Sequence, residues 1–145
     1  MKKYFLFEPE QNIDKHWDFL ISLVINQAEY IEFNILWPDW MMQKEFIQLR
    51  KFKVKEFEKR KKIFLSNKSV RYKNTPEIRE WFLSKKFSDW KNHFIEDPSF
   101  IRKDIEFLAC RSNKERIAIL LSEKEREYLI DKGLDIWFEL EGNYF

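Results

Sequence analysis

The sequence predicts an α+β fold: a mixed sheet of about five strands, helices mainly on one face, and a basic helical insertion. Three observations carry that expectation. Residues 1–37 read strand–helix–strand, residues 104–140 read strand–strand–helix–strand, and the stretch between them is dense in Lys and Arg. At 145 residues the chain fits one domain, 1–145, with the helical insertion spanning 38–103. That length buries enough surface to need no disulfide or metal staple.

The elements follow in order. "KYFLF" is rich in strand formers and stops before Pro9. "NIDKHWDFLISLVINQ" places Ile13, Trp17, Leu20, Ile21 and Val24 on one helical stripe, with Asn12 in position to cap it. "EYIEFNILW" alternates, so Ile31, Phe33, Ile35 and Trp37 face one way and Glu32 and Asn34 the other, as in a half-buried strand. Asp39 then stands where it could cap a helix starting at Trp40, and neither Gly nor Pro interrupts the chain from there to Pro76. Thr75 and Pro76 are an N-cap and first-turn pair for a helix over "EIREWFL". "SDWKNHFIED" reads as a further short helix ended by Pro98.

"DIEFLAC" and "ERIAILL" flank "RSNK" as a hairpin. Ser122 and Glu125 form a capping box, in which each side chain accepts the other residue's backbone N–H. The helix they open runs to Gly133, which supplies a left-handed stop. "LDIWFEL" then makes a last strand, with Ile136, Phe138 and Leu140 on one face.

Composition narrows the function classes. Two glycines, Gly133 and Gly142, cannot build a phosphate-cradling loop, which needs several where backbone approaches ligand. His16 and His93 have no partner at metal-ligand spacing, so neither a metal nor a cofactor is expected. Cys110 is the sole cysteine and reads as a small buried residue of a strand. With no apolar run near the ~18 residues needed to span a bilayer, a cytoplasmic protein without a membrane partner is expected. No short catalytic motif is present, which leaves only a scattered active site for a small enzyme.

Charge and aromatics supply the candidate sites. Residues 1–40 carry 3 basic and 7 acidic groups, 41–121 carry 21 and 11, and 122–145 carry 3 and 7, for −4, +10 and −4. Eight of the thirteen residues in "RKFKVKEFEKRKK", 50–62, are basic. Arg50, Lys51, Lys59, Arg60, Lys61 and Lys62 are therefore candidate contacts to an anion or nucleic acid. Glu56 and Glu58 interrupt that field, and a solvated helix with snorkelling lysines is the simpler account of it. Aromatics make up 18% of the chain, and Trp40, Trp81 and Trp90 lie in charged surroundings where they could anchor a protein partner. Trp37 is expected in the core and Trp40 outside it.

In size and composition the chain resembles the immunity proteins of bacterial toxin–immunity pairs. That resemblance implies a non-catalytic module that binds a toxin domain and blocks it. The alternative is a nucleic-acid-binding accessory protein using residues 50–62, and a small enzyme stands third.

Overall fold

The computed structural model describes residues 1–8, 13–57, 63–64, 68–91, 93–136 and 138–140. The helices are α1 (Ile13–Val24), α2 (Lys44–Ile47), α3 (Pro76–Leu83) and α4 (Glu123–Asp131). The strands are β1 (Lys3–Phe7), β2 (Tyr30–Ile35), β3 (Ser69–Lys73), β4 (Ile95–Arg102), β5 (Ile105–Arg111), β6 (Arg116–Leu121) and β7 (Phe138–Glu139). They form one sheet in the order β3-β2-β4-β5-β6-β1-β7.

The α+β class holds, but among the described residues the sheet has seven strands where about five are expected. It is not mixed, since every pairing between neighbours is antiparallel. β1 and β2, joined by α1, run in the same direction with β6, β5 and β4 between them. A strand–helix–strand reading suggests parallel neighbours, but here the intervening positions are filled later in the chain.

The expected helical insertion over 38–103 is corrected as well, because β3 and β4 fall inside it and belong to the common sheet. In place of a long helix from Trp40, the chain makes a 3₁₀ turn at Trp40–Met42, the four-residue α2, and another 3₁₀ turn at Arg50–Phe52. Asp39 makes no side-chain cap. The chain then extends: Lys53 bridges Tyr72, and the Val54 N–H donates to the Arg71 carbonyl at 2.8 Å, continuing the sheet beyond β3. Like charges at helical spacing, Arg50 with Lys53 and Lys51 with Lys55, oppose a helix here.

Pro98 lies within β4 rather than ending a helix. The β2–β4 register shifts between Glu32 and Asn34, and Asp97 has a left-handed φ of 52°. Such a bulge accommodates a proline that a regular ladder would reject. Asp97 is stapled there: one carboxylate oxygen accepts the Ser112 N–H at 2.7 Å and the other accepts from Asn34 Nδ2 at 2.8 Å. β4 and β5 meet at Lys103–Asp104, both left-handed, as a two-residue hairpin requires.

The local signals hold where they depend on neighbours in sequence. Thr75 Oγ1 accepts the Ile78 N–H at 3.2 Å and Pro76 opens α3. Ser122 and Glu125 exchange both capping-box bonds, and Gly133 has φ 95°. Of the expected α1 stripe, Trp17, Leu20, Ile21 and Val24 are buried and Ile13 is half-buried. Asn12 lies outside the described residues. The last strand keeps two residues, with Ile136 buried and Phe138 exposed.

Helices cover one face of the sheet, and the core there is aromatic. Phe82 stacks on Trp90 at 5.2 Å, Phe33 meets Trp90 at 5.1 Å, and Trp17 meets Phe87 edge-on at 5.1 Å. Each such pair contributes ~0.5–1.5 kcal/mol beyond its buried area. The other face is buried too, so β2 is not half-exposed: Glu32 and Arg71 are sunk beside Ser99 and Ala109. Phe57 lies over this side, its ring centroid 4.3 Å from the Arg71 guanidinium carbon. The Ile63 N–H reaches the Glu106 carboxylate at 2.9 Å. Among the described residues, no helix is long and apolar enough to cross a membrane.

Candidate functional site

Two features meet where β2 ends and β4 begins. The first is the turn after β2. The Leu36 and Trp37 N–H groups both donate to the Phe94 carbonyl, at 3.0 and 3.2 Å, so the chain leaves the ladder at Leu36. Strand parity stops there as well. Trp37 is consequently 52% exposed rather than buried, which overturns its expected place in the core. Trp40 goes the other way: it is 4% exposed, packs edge-on to Phe46 at 5.6 Å, and cannot be a surface anchor. The Trp40 backbone N–H donates to the Trp37 carbonyl at 3.2 Å and closes the turn. Leu36, Met42 and Ile47 are also exposed on this stretch.

The second feature is a locked carboxylate. Glu45 of α2 accepts from Trp81 Nε1 at 2.6 Å and pairs with Lys85 at 2.5 Å through one oxygen. Its other oxygen lies 3.6 Å from His93 Nε2. His93 first, then Lys85 and Trp81, hold the Glu45 carboxyl at about 2, against the burial that pushes it up. Burial, and then the Glu45 charge, raise the Tyr72 phenol well above its ordinary value. A cleft of about 420 Å³ opens beside Glu45, lined by Leu49, Phe52, Glu77, Glu80 and Trp81 among others. A carboxyl so far below neutral pH is not tuned for general acid–base work. It ties α2 to α3 and to the segment before β4, and so fixes the turn that carries Trp37.

Of the other predicted site residues that are described, Trp81 and Trp90 meet edge-on at 5.6 Å, and Lys51 lines the same cleft as Trp81. Trp90 is fully buried under Phe33 and Phe82, so its role as an anchor is withdrawn. Trp81 is half-buried, and its N–H is committed to Glu45. Arg50 and Lys51 are exposed on the Arg50–Phe52 turn, and Arg50 reaches the Met41 carbonyl at 3.4 Å. Lys59, Arg60, Lys61 and Lys62 lie outside the described residues. Cys110 is buried in β5, and its thiol is pushed well up by burial and then by Asp97 and Glu106, so it is not a nucleophile at neutral pH. His16 is half-buried, edge-on to Phe7 at 5.8 Å.

The sequence reading missed Glu45, because its three partners lie 36 to 48 residues downstream and no local pattern joins them. It also missed the exposure of Trp37, although Pro38 directly after it signals a break in the strand. No family model, curated protein or solved structure matches the chain.

Proposed function

We propose that the protein is a non-catalytic binding module that occupies and blocks a protein partner, as an immunity-type inhibitor does in the cytoplasm. One observation carries the reading: Trp37 stands half-exposed on a turn whose backbone is held by the Phe94 carbonyl before it and by the Trp40 N–H after it. A large indole on rigid support loses little freedom on binding, which is what concentrates affinity in a few residues. Leu36, Met42 and Ile47 add exposed apolar area on the same stretch, and Lys44, Arg50 and Lys51 set a basic border that favours an acidic partner.

The test is co-purification from the native host at moderate salt, using wild type and Trp37→Ala, with mass spectrometry and nucleic-acid absorbance. One stable protein partner is expected with wild type. Its affinity should fall by about 2 kcal/mol or more in Trp37→Ala, roughly 30-fold, with thermal melting unchanged. Exposed Arg50 and Lys51 favour the second reading, nucleic-acid binding. Retained nucleic acid that Arg50→Ala and Lys51→Ala release would support it instead.

A further inference from the structure

We infer, resting on the docking role proposed for the Trp37 turn, that Met42 is a peroxide-sensitive modification site whose sulfoxide releases the protein partner. The chain has one cysteine and three methionines, and all four lie among the described residues. Their surroundings sort them. Cys110 is buried in β5, and burial, then Asp97 and Glu106, keep its thiol protonated, so it offers no thiolate to peroxide. Met41 is half-buried and packs against the core. Met42, the next residue, is 75% exposed. Met1 is exposed too, but it precedes β1, which runs in the same direction as β2. It therefore lies at the end of the sheet opposite to the turn that follows β2. Of the two open thioethers, only Met42 belongs to the docking stretch.

The backbone holds that thioether in place. Met42 closes the 3₁₀ turn Trp40–Met42, and its N–H donates to the Asp39 carbonyl at 3.0 Å. Trp40 buries one end of this turn, while Met42 leaves the other in solvent. Leu36, Trp37 and Ile47 are the further exposed apolar side chains of the stretch. An unbranched thioether adapts well to an irregular partner surface. Hydrogen peroxide is the co-reactant. Its O–O bond breaks, one oxygen forms the S–O bond on Met42 Sδ, and the other leaves as water. The thioether is oxidised by two electrons and the peroxide is reduced by two. The product carries a strong acceptor where the partner offers an apolar contact, and burying an unanswered polar group opposes association. In the free protein that oxygen stays in water, so the fold is untouched.

The experiment oxidises about half of the wild-type protein with hydrogen peroxide and removes the peroxide with catalase. The protein is then passed over native-host extract in the co-purification already described. Mass mapping locates every added oxygen in the partner-bound and unbound fractions. Met42 and Met1 should be oxidised well before Met41, with Cys110 unmodified. Met42 sulfoxide should be depleted at least ~10-fold from the bound fraction, and Met1 sulfoxide should divide evenly between the two. Methionine sulfoxide reductases A and B, one for each epimer, should together restore binding. Met42→Leu, which cannot form the sulfoxide, should keep through peroxide whatever affinity it has before it. Thermal melting should be the same before and after oxidation. Three results would each overturn the inference: Met42 oxidised no faster than Met41, Met42 sulfoxide evenly divided between fractions, or Met42→Leu as peroxide-sensitive as wild type. If untreated wild type holds a partner that Trp37→Ala loses, those results end this inference alone. If untreated wild type holds no protein partner, the docking role of the turn falls, and the switch falls with it.

Discussion

On one side of the sheet Phe33, Phe82, Trp90 and Phe100 meet ring to ring; on the other, Glu32, Arg71, Ser99 and Glu106 lie equally deep. The two sides are buried to the same degree by opposite chemistry. On the aromatic side stability follows volume, since each ring removed leaves a void. On the polar side it follows pairing. The Arg71 guanidinium donates twice to Glu32 Oε1, at 3.1 and 2.9 Å, with the Tyr30 and Phe57 rings over its carbon at 5.2 and 4.3 Å. A charge at that depth is tolerated because it is answered, so its loss is felt through the partner left behind.

The largest effect expected from that contrast is Trp90→Ala, which should cost about 3–5 kcal/mol in denaturant melts. A loss below 1 kcal/mol would mean that the aromatic side can collapse around the void. Glu32→Met should come next, at about 3 kcal/mol, since it strands Arg71. Adding Arg71→Met should recover most of that loss, and a double variant no better than the single one would dissolve the distinction between the two sides. Ser122→Ala, on neither side, gives the scale of a purely local term: about 0.5–2 kcal/mol for the lost cap.

Glu45 should give a smaller effect, because part of it remains open to solvent and its pairs are screened. Its folded carboxyl sits below the ordinary value near 4.5, at about 2. Its contribution is therefore complete above the ordinary value and lost as pH falls from about 4.5 toward 2. Glu45→Gln should flatten the fall of stability across that window, and an unchanged slope would remove Glu45 from the account. The smallest effect is expected at Ser99, whose buried hydroxyl has no hydrogen-bond partner among the described residues. Ser99→Ala removes an unanswered group and should be neutral or stabilising by up to about 1 kcal/mol. A clear destabilisation there would reveal a partner for the hydroxyl.

What was legible in the sequence was local. The Ser122–Glu125 box, the Thr75–Pro76 start, the Trp17 stripe and the β5–β6 hairpin each follow from residues close in the chain. What was illegible depended on distant neighbours or on an atypical residue in a familiar role. β4 hid because Asp97 and Pro98 look like a breaker and in fact form a bulge, and because its hairpin turn uses Lys103–Asp104 without glycine. The 40–57 stretch misled because freedom from Gly and Pro is not evidence for a helix. Only Lys53 and Val54 extend beside β3, after the 3₁₀ turn at Arg50–Phe52, so neither a helical nor a strand period runs through the stretch. The exposures expected of Trp37 and Trp40 came out reversed, because alternation was carried past the point where Phe94 takes up the backbone.

The pairing of β1 with β6 also governs how the molecule comes into being. Lys3 lies opposite Leu121, a separation of 121 − 3 = 118 residues. At a synthesis rate of ~5–20 residues per second, β1 waits roughly 6–24 s for its partner strand to be made. Its Phe5 and Phe7 have no sheet to join in that interval, and the closure that joins them spans most of the chain. Such long closure is slow in isolated domains as well. The nascent chain therefore presents an aromatic, unpaired strand to whatever is nearby during synthesis, and a chaperone requirement would be set by this one connection rather than by the basic segment.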